Sequence, residues 1–266
     1  KGFSQIPIVD KNKKVIDFIL KSDLLKNKNN NIEYKPIGTS VVIMAGGRGT
    51  RMEPFTSILP KPLLPIKNKS MLEIIMKDYS QYKISNFCLS VNYKANLIKA
   101  YLNDLDLGYN ISYIQEDKPL GTAGSLKLLD SIFFDKPFFI SNCDILIKED
   151  YSKIYDFHLN GNYEITLVAC NRHHELPYGV CDIEKGGSLK KIIEKPSYNF
   201  LVNTGMYVIN PSALNLIPEN KFFHITHLIE KIKSNGKKVG VFPVSERSWI
   251  DVGQWDKYND TINKLR

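Results

Sequence analysis

The chain has 266 residues, a formal net charge of +8, 43% hydrophobic residues and 11% aromatics. That length suits one sizeable α/β domain with a small appendage, and the apolar content is enough for a packed core, which excludes wholesale disorder. No uncharged apolar run is long enough to span a bilayer, and no leader-like stretch opens the sequence, so a cytoplasmic protein without a membrane partner is expected. Much of the positive charge is Lys scattered among Asn, as in Lys26-Asn27-Lys28-Asn29-Asn30-Asn31. Such a run reads as a solvated linker, so no nucleic-acid partner is expected. A small anionic substrate accounts for the remaining charge. The four cysteines, Cys88, Cys143, Cys170 and Cys181, form no C-x-x-C pair. They read as reduced thiols in a reducing compartment.

Residues 6–25 read as strand, turn, strand and the start of a helix. Ile6, Ile8 and Val9 form a short apolar run, Asp10 to Lys13 is turn chemistry, and Val15 to Leu20 is a second strand. Ser22 or Asp23 is a candidate helix cap. Residues 26–37 are a Lys/Asn-rich linker, and the main domain is expected over 38–266. Val41 to Met44 is a wholly apolar, β-branched run, the signature of a strand buried on both faces of a parallel sheet. Further strands are expected at Phe87–Val91, Ile111–Ile114, Pro137–Ser141, Glu164–Cys170, Met206–Ile209 and Lys238–Val241. Helical spacing appears at Met71–Met76, at Leu97–Leu102, at Leu126, Leu128 and Leu129, and at His227–Ile232. This alternation predicts a Rossmann-like, mainly parallel mixed sheet flanked by helices.

The first strand of that sheet runs into Ala45-Gly46-Gly47-Arg48-Gly49-Thr50-Arg51. A glycine-rich loop after a strand presents backbone N–H groups to phosphate oxygens. It is not the dinucleotide fingerprint, which would need glycine where Met52 stands, nor a Walker loop, which ends in G-K-[ST]. The NAD-dependent dehydrogenase reading is thereby disfavoured. Pro60-Lys61-Pro62-Leu63-Leu64-Pro65 follows, a proline-stiffened segment with one lysine. Together the two stretches resemble the signature of the sugar-1-phosphate nucleotidyltransferase family, G-G-x-G-T-R followed by P-K-P-[ML]-[LV]-P. The resemblance extends over about residues 40–258 and implies a glycosyltransferase-A-like fold.

The resemblance implies several roles. Arg51 and Lys61 would hold the triphosphate, Arg51 as a bidentate fork and Lys61 as a point charge near the α-phosphate. Pro137 to Asp144 reads as a buried strand ending in a carboxylate, and Asp251 lies in Trp249-Ile250-Asp251-Val252-Gly253. Asp144 and Asp251 match family aspartates that share a Mg²⁺, an ion that takes a few carboxylates together with phosphate oxygens and water. Cys143 stands where the family pattern carries glycine. The adjacent His173 and His174 point to opposite faces of an extended chain and do not read as a shared metal site. Tyr178-Gly179-Val180, Glu194-Lys195-Pro196 and Asn203-Thr204-Gly205 match three family stretches that line the sugar phosphate pocket. Gly179, Glu194, Asn203 and Thr204 would meet the sugar, and Lys195 its phosphate. On this reading Ala45, Gly46, Gly47, Gly49, Thr50, Asn92, Glu116, Gly121 and Thr122 contact the nucleotide.

An attacking phosphate oxygen is already ionised at neutral pH, so the absence of a Ser-His-Asp or Cys-His set is expected. In-line placement and charge neutralisation suffice. Pro119-Leu120-Gly121-Thr122-Ala123-Gly124 and Val91-Asn92-Tyr93 resemble guanylyltransferases, and Glu116 or a loop carbonyl is a candidate acceptor for guanine. Residues 1–25 resemble part of a CBS motif, and that piece before such a domain resembles guanylyltransferases of nonulosonate glycan pathways. GTP and a glucosamine or mannose-type hexose 1-phosphate are therefore the expected substrates, with a homo-oligomer allowed. The alternatives are a thymidylyl-, uridylyl- or cytidylyltransferase, or a silent binding protein that senses nucleotide sugars.

Overall fold

The computed structural model describes residues 5–9, 15–20, 34–130, 133, 135–253 and 258. The chain divides into two compact units, Lys1–Tyr34 and Lys35–Arg266. In the first unit, β1 (Gln5–Val9) pairs antiparallel with β2 (Val15–Leu20), starting from Gln5 opposite Leu20. These are the two expected strands, and the turn expected between them lies outside the described residues. The helix expected from Ser22 or Asp23 lies outside the described residues.

The expected linker ends too late in the sequence. Lys35 Nζ lies 2.7 Å from Asp156 Oδ2, and the Ile37 amide donates to the Tyr82 carbonyl. Residues 35–37 are therefore tied to the larger unit.

The larger unit begins with β3 (Ser40–Met44), the glycine loop and a short helix α1 (Phe55–Ile58). A small ribbon follows, β4 (Pro65–Ile66) with β5 (Lys69–Ser70), leading into α2 (Met71–Ser80). Ser70 caps α2 in a reciprocal capping box with Glu73. Next come β6 (Asn86–Val91), α3 (Ala95–Asn103), β7 (Asn110–Gln115) and one helical turn, α4 (Gly121–Gly124). Then follow β8 (Phe138–Asn142), β9 (Ile145–Ile147) and α5 (Tyr151–Asn160), whose Asp150 cap accepts from the Ser152 amide. The chain continues through β10 (Ile165–Glu175), β11 (Val180–Ile183), β12 (Leu189–Ile193) and β13 (Ser197–Ile209). It closes with α6 (Ile225–Ser234), β14 (Val239–Val244) and β15 (Trp249–Asp251).

The central sheet has the order β14-β10-β13-β8-β3-β6-β7. Every neighbouring pair is parallel except those of β13, which runs against both β10 and β8. This is the mostly parallel mixed sheet expected. Successive residues of a strand face opposite ways, so the central strands feed two cores. Val42, Phe138, Ile140, Tyr207 and Ile209 pack with Leu228 and Ile232 of α6. On the other face, Phe139 meets Tyr79 of α2 and Tyr151 and Tyr155 of α5. Helices thus cover both faces, and the carboxyl ends of β3, β6 and β8 open at one edge. Ligands of open α/β sheets bind at such an edge.

Two expectations are corrected. Leu126, Leu128 and Leu129 do not form a regular helix. Leu126 and Leu128 lie in a 3₁₀ segment, Ser125–Leu128, that follows α4 and ends at Leu129 in extended conformation. The strands expected at Glu164–Cys170 and Met206–Ile209 are much longer. They continue outward through β11 and β12 as one two-stranded ribbon, joined by the Leu176 amide donating to the Pro196 carbonyl. Most of the outer ribbon is exposed, including Tyr178, Ile183, Leu189, Ile192, Phe200 and Leu201.

Candidate nucleotide-binding and catalytic site

A cavity of about 390 Å³ opens at the carboxyl edge of β3, β6 and β8. Its lining includes Gly46, Gly47, Gly49, Thr50, Arg51, Lys61, Asn92, Glu116, Gly121, Thr122 and Asp144, all expected from the sequence. Met44, Pro119, Asn142, Cys143 and Phe222 complete it.

The glycine loop is built for close approach. A Cβ on Gly46 would lie 3.3 Å from Asn92 Cβ and from Glu116 Oε1. Gly49 has φ +70°, and a side chain there would meet Thr56 and Lys61. The Gly49 carbonyl is held by the Met52 amide and by the Thr56 hydroxyl at 2.9 Å. Ala45 is fully buried and its amide donates to the Ser90 carbonyl, so it extends the sheet and does not line the cavity.

Lys61 comes from the turn Lys61–Leu63, with Pro60 and Pro62 fixing its backbone and buried Pro62, Leu63 and Leu64 anchoring it. Its Nζ lies 2.5 Å from Asp144 Oδ2. Asp144 lies in the two-residue turn between β8 and β9. Asp251 arrives through a separate device: β15 pairs antiparallel with β9, setting Asp251 opposite Ile145, and the Val252 amide donates to the Asp144 carbonyl. Gly253 marks the meeting point. A Cβ there would lie 2.9 Å from Asp144 Oδ2, 2.9 Å from Asp251 Oδ1 and 3.2 Å from Lys61 Nζ. Both carboxylates and the ammonium thus border one small space.

This space suits a divalent ion. Among the described residues no group of three or more His, Cys, Asp or Glu side chains gathers as a metal site. Two carboxylates, completed by phosphate oxygens and water, match the sparse protein ligation that Mg²⁺ prefers. Burial pushes the Cys143 thiol up to about 12, and Asp144 pushes it the same way, so Cys143 stays a neutral wall.

The residues expected to bind sugar fall into two groups, both outside that cavity. Gly179 and Glu194 touch on the ribbon, where a Cβ on Gly179 would lie 3.0 Å from Glu194 Oε2. Lys195 is exposed beside them with φ +42°. A lysine held in the left-handed region is uncommon and marks a constrained position. Asn203 lies at a bulge of β13, where Leu167 pairs with Tyr207 but Ala169 pairs with Asn203. Thr204, Gly205 and Met206 therefore oppose Val168 alone. Thr204 is buried, its hydroxyl donates to the Val168 carbonyl at 2.8 Å, and it shapes the bulge from within. Gly205, at φ +90°, admits Asn142, whose Nδ2 would lie 2.3 Å from a Cβ there. Asn142 also lines the nucleotide cavity, and so joins it to the bulge.

Two cavity residues carried no motif. Asn142 was hidden inside a strand pattern. Phe222 is 59% exposed and sits edge-on to His224 at 4.6 Å. Its loop docks on α4 mainly through backbone, with the Ile225 amide also donating to Thr122 Oγ1 at 2.9 Å. The Phe223 amide donates to the Leu120 carbonyl, and the Ala123 and Gly124 amides donate to the Phe223 carbonyl. A Cβ on Gly121 would lie 2.7 Å from that carbonyl, which explains the glycine.

Residues 40–266 match the family described as nucleotidyl transferase. The chain belongs to that family. Among curated nucleotidyl transferase relatives, a mannose-1-phosphate guanyltransferase of Yarrowia lipolytica is 35% identical over 184 residues, 66% of this chain and 50% of its own length. The mannose-1-phosphate guanyltransferase of Saccharomyces cerevisiae is 32% identical over 222 residues, 80% of this chain and 61% of its own. The chain thus spans about half to three fifths of these relatives. Among solved structures, HddC from Yersinia pseudotuberculosis complexed with GMP-PN superposes with a TM-score of 0.66 at 24% identity, covering 86% of this chain and all of that one. That likeness concerns the fold. No helix among the described residues is long and apolar enough to cross a membrane.

Proposed function

We propose that this chain transfers a nucleotidyl group from a nucleoside triphosphate to a sugar 1-phosphate and releases pyrophosphate. The observation that carries this reading is the convergence of Lys61, Asp144 and Asp251 around Gly253, at the wall of a cavity floored by a glycine loop. The loop amides and Arg51 bind the triphosphate. Lys61 lies where charge builds at the α-phosphorus. A sugar phosphate oxygen attacks that phosphorus in line, the bond to the β-phosphate oxygen breaks, and pyrophosphate departs with inversion. No proton needs to move. Asp144 and Asp251 would hold Mg²⁺, which would supply further neutralisation of phosphate charge.

GTP is the preferred donor in this reading, supported by the guanyltransferase names of the relatives, and the acceptor is a mannose- or glucosamine-type hexose 1-phosphate. The ribbon residues Gly179, Glu194 and Lys195 and the bulge residue Asn203 form the acceptor side. The product would serve as a precursor for surface glycan synthesis. The test is pyrophosphate release with Mg²⁺, each of the four triphosphates and a panel of sugar 1-phosphates. Turnover confined to GTP with a hexose 1-phosphate is expected. No pyrophosphate from any combination overturns the reading.

A further inference from the structure

Glu116 has a small exposure, 7%, inside a cavity that is to receive a polyanion. A buried carboxylate is tolerable only when its oxygens accept hydrogen bonds. Both oxygens do so from the protein itself. Oε1 accepts from the Ser90 hydroxyl at 2.7 Å, and Oε2 accepts from the Leu120 amide at 2.8 Å. The hydroxyls of Ser90 and Ser125 lie 2.9 Å apart, both fully buried. The Ser90 hydroxyl, with a single proton, thus faces both Glu116 and Ser125. The Glu116 backbone is held too. Its amide donates to the Val91 carbonyl, and its carbonyl accepts from Asn92 Nδ2 at 2.7 Å.

We infer that Glu116 acts through position: the relay Ser125–Ser90–Glu116–Leu120 holds the 116–121 loop as a preformed wall, and nucleotide selectivity depends on that wall. This rests on the proposed nucleotide site but not on the donor being GTP. The relay joins the ends of β6 and β7 to the start of α4, and Pro119 and Gly121 of the loop line the cavity. Preorganisation of this kind lowers the ordering cost of binding. Loss of the relay therefore weakens nucleotide binding without touching the reacting atoms. Glu116 and Ser90 are positioning residues.

The test compares Ser90→Ala, Ser125→Ala and Glu116→Gln for KM and kcat with all four triphosphates, with thermal melts alongside. Expected are nucleotide KM values raised about tenfold in Ser90→Ala and Glu116→Gln alike, with narrowed discrimination among the four bases. In Ser90→Ala and Ser125→Ala the kcat at saturation and the KM for sugar 1-phosphate stay within about twofold. If Glu116→Gln alone loses discrimination while both serine variants keep wild-type values, the carboxylate reads the base directly and the inference falls. It falls equally if melts shift but no nucleotide KM moves. Should Glu116→Gln not fold, the two serine variants decide. If the wild type turns over no triphosphate, calorimetric titration of each triphosphate into wild type and variants reads the same differences, and only the proposed function is lost.

Discussion

The Lys61 ammonium and the Asp144 carboxylate form a 2.5 Å ion pair, with side chains only 12% and 20% exposed. Two charges removed from water to this degree depend on each other, and removing one partner leaves the other uncompensated at a cost of about 3 kcal/mol or more. Lys61→Met is therefore expected to abolish turnover and lower stability. The double variant Lys61→Met/Asp144→Asn recovers part of that stability but no activity. Urea denaturation of both singles and the double gives the coupling. Independent, additive effects would contradict the pair.

Gly253 is expected to tolerate no side chain, because a Cβ would intrude among Asp144, Asp251 and Lys61. A displacement of this kind costs about 100-fold in rate. Gly253→Ala should lose activity by that order while keeping a near-normal melt. Retained kcat/KM would show that the three groups do not act together.

Thr204→Val removes the hydroxyl that donates to the Val168 carbonyl, and a lost internal hydrogen bond costs about 1 kcal/mol. A lowered Tm is expected, with Thr204→Ser close to wild type in both Tm and kcat/KM. A Thr204→Val variant with unchanged Tm and a raised KM for sugar 1-phosphate alone would return Thr204 to the acceptor side.

Phe222 offers its exposed ring to the cavity. Phe222→Ala should raise the KM of one substrate about tenfold, in line with the 1–1.5 kcal/mol of an aromatic contact, while Phe222→Tyr stays near wild type. Steady-state kinetics with each substrate varied separately tells which ligand the ring meets. No change in either KM would make it a bystander.

Asp78 gives a pH test away from the cavity. Burial pushes its carboxyl up to about 6, with Lys148 and Lys77 opposing. The folded state thus holds a proton that the unfolded chain releases above about 4. Stability from this group is full below that value and is lost as pH rises through 6. Asp78→Asn should raise Tm at pH 8 and give no gain at pH 3.5. Equal gains at both pH values would refute the buried-carboxyl explanation.

The glycine loop and the Pro60–Pro65 turn were legible because their backbone paths restrict which residues fit. The central strands were legible from continuous apolar runs. The clamp of β9 on β15 was not, since three-residue strands leave no periodic trace, although it is what brings Asp251 to Asp144. Helix α5 did carry a signal: an Asp150 cap and buried residues at Tyr151, Ile154, Tyr155 and His158. Tyrosines and a histidine on its inner face masked the pattern. The bulge opposite Val168 was invisible, because bulges arise from pairing between distant segments. Its Asn-Thr-Gly string suggested a ligand contact for Asn203 and Thr204, while the Thr204 hydroxyl donates to the Val168 carbonyl within the bulge.

Strand β13 lies in the middle of the sheet, between β10 and β8, and the same strand carries Asn203 and Gly205. On the proposed function, the acceptor residue Asn203 stands on the strand that continues three residues later into the pairing with β8, and not on a replaceable surface loop. If Asn203 meets the acceptor as proposed, retuning that position disturbs the adjoining core strand, so changes of sugar preference should come coupled to changes in folding stability.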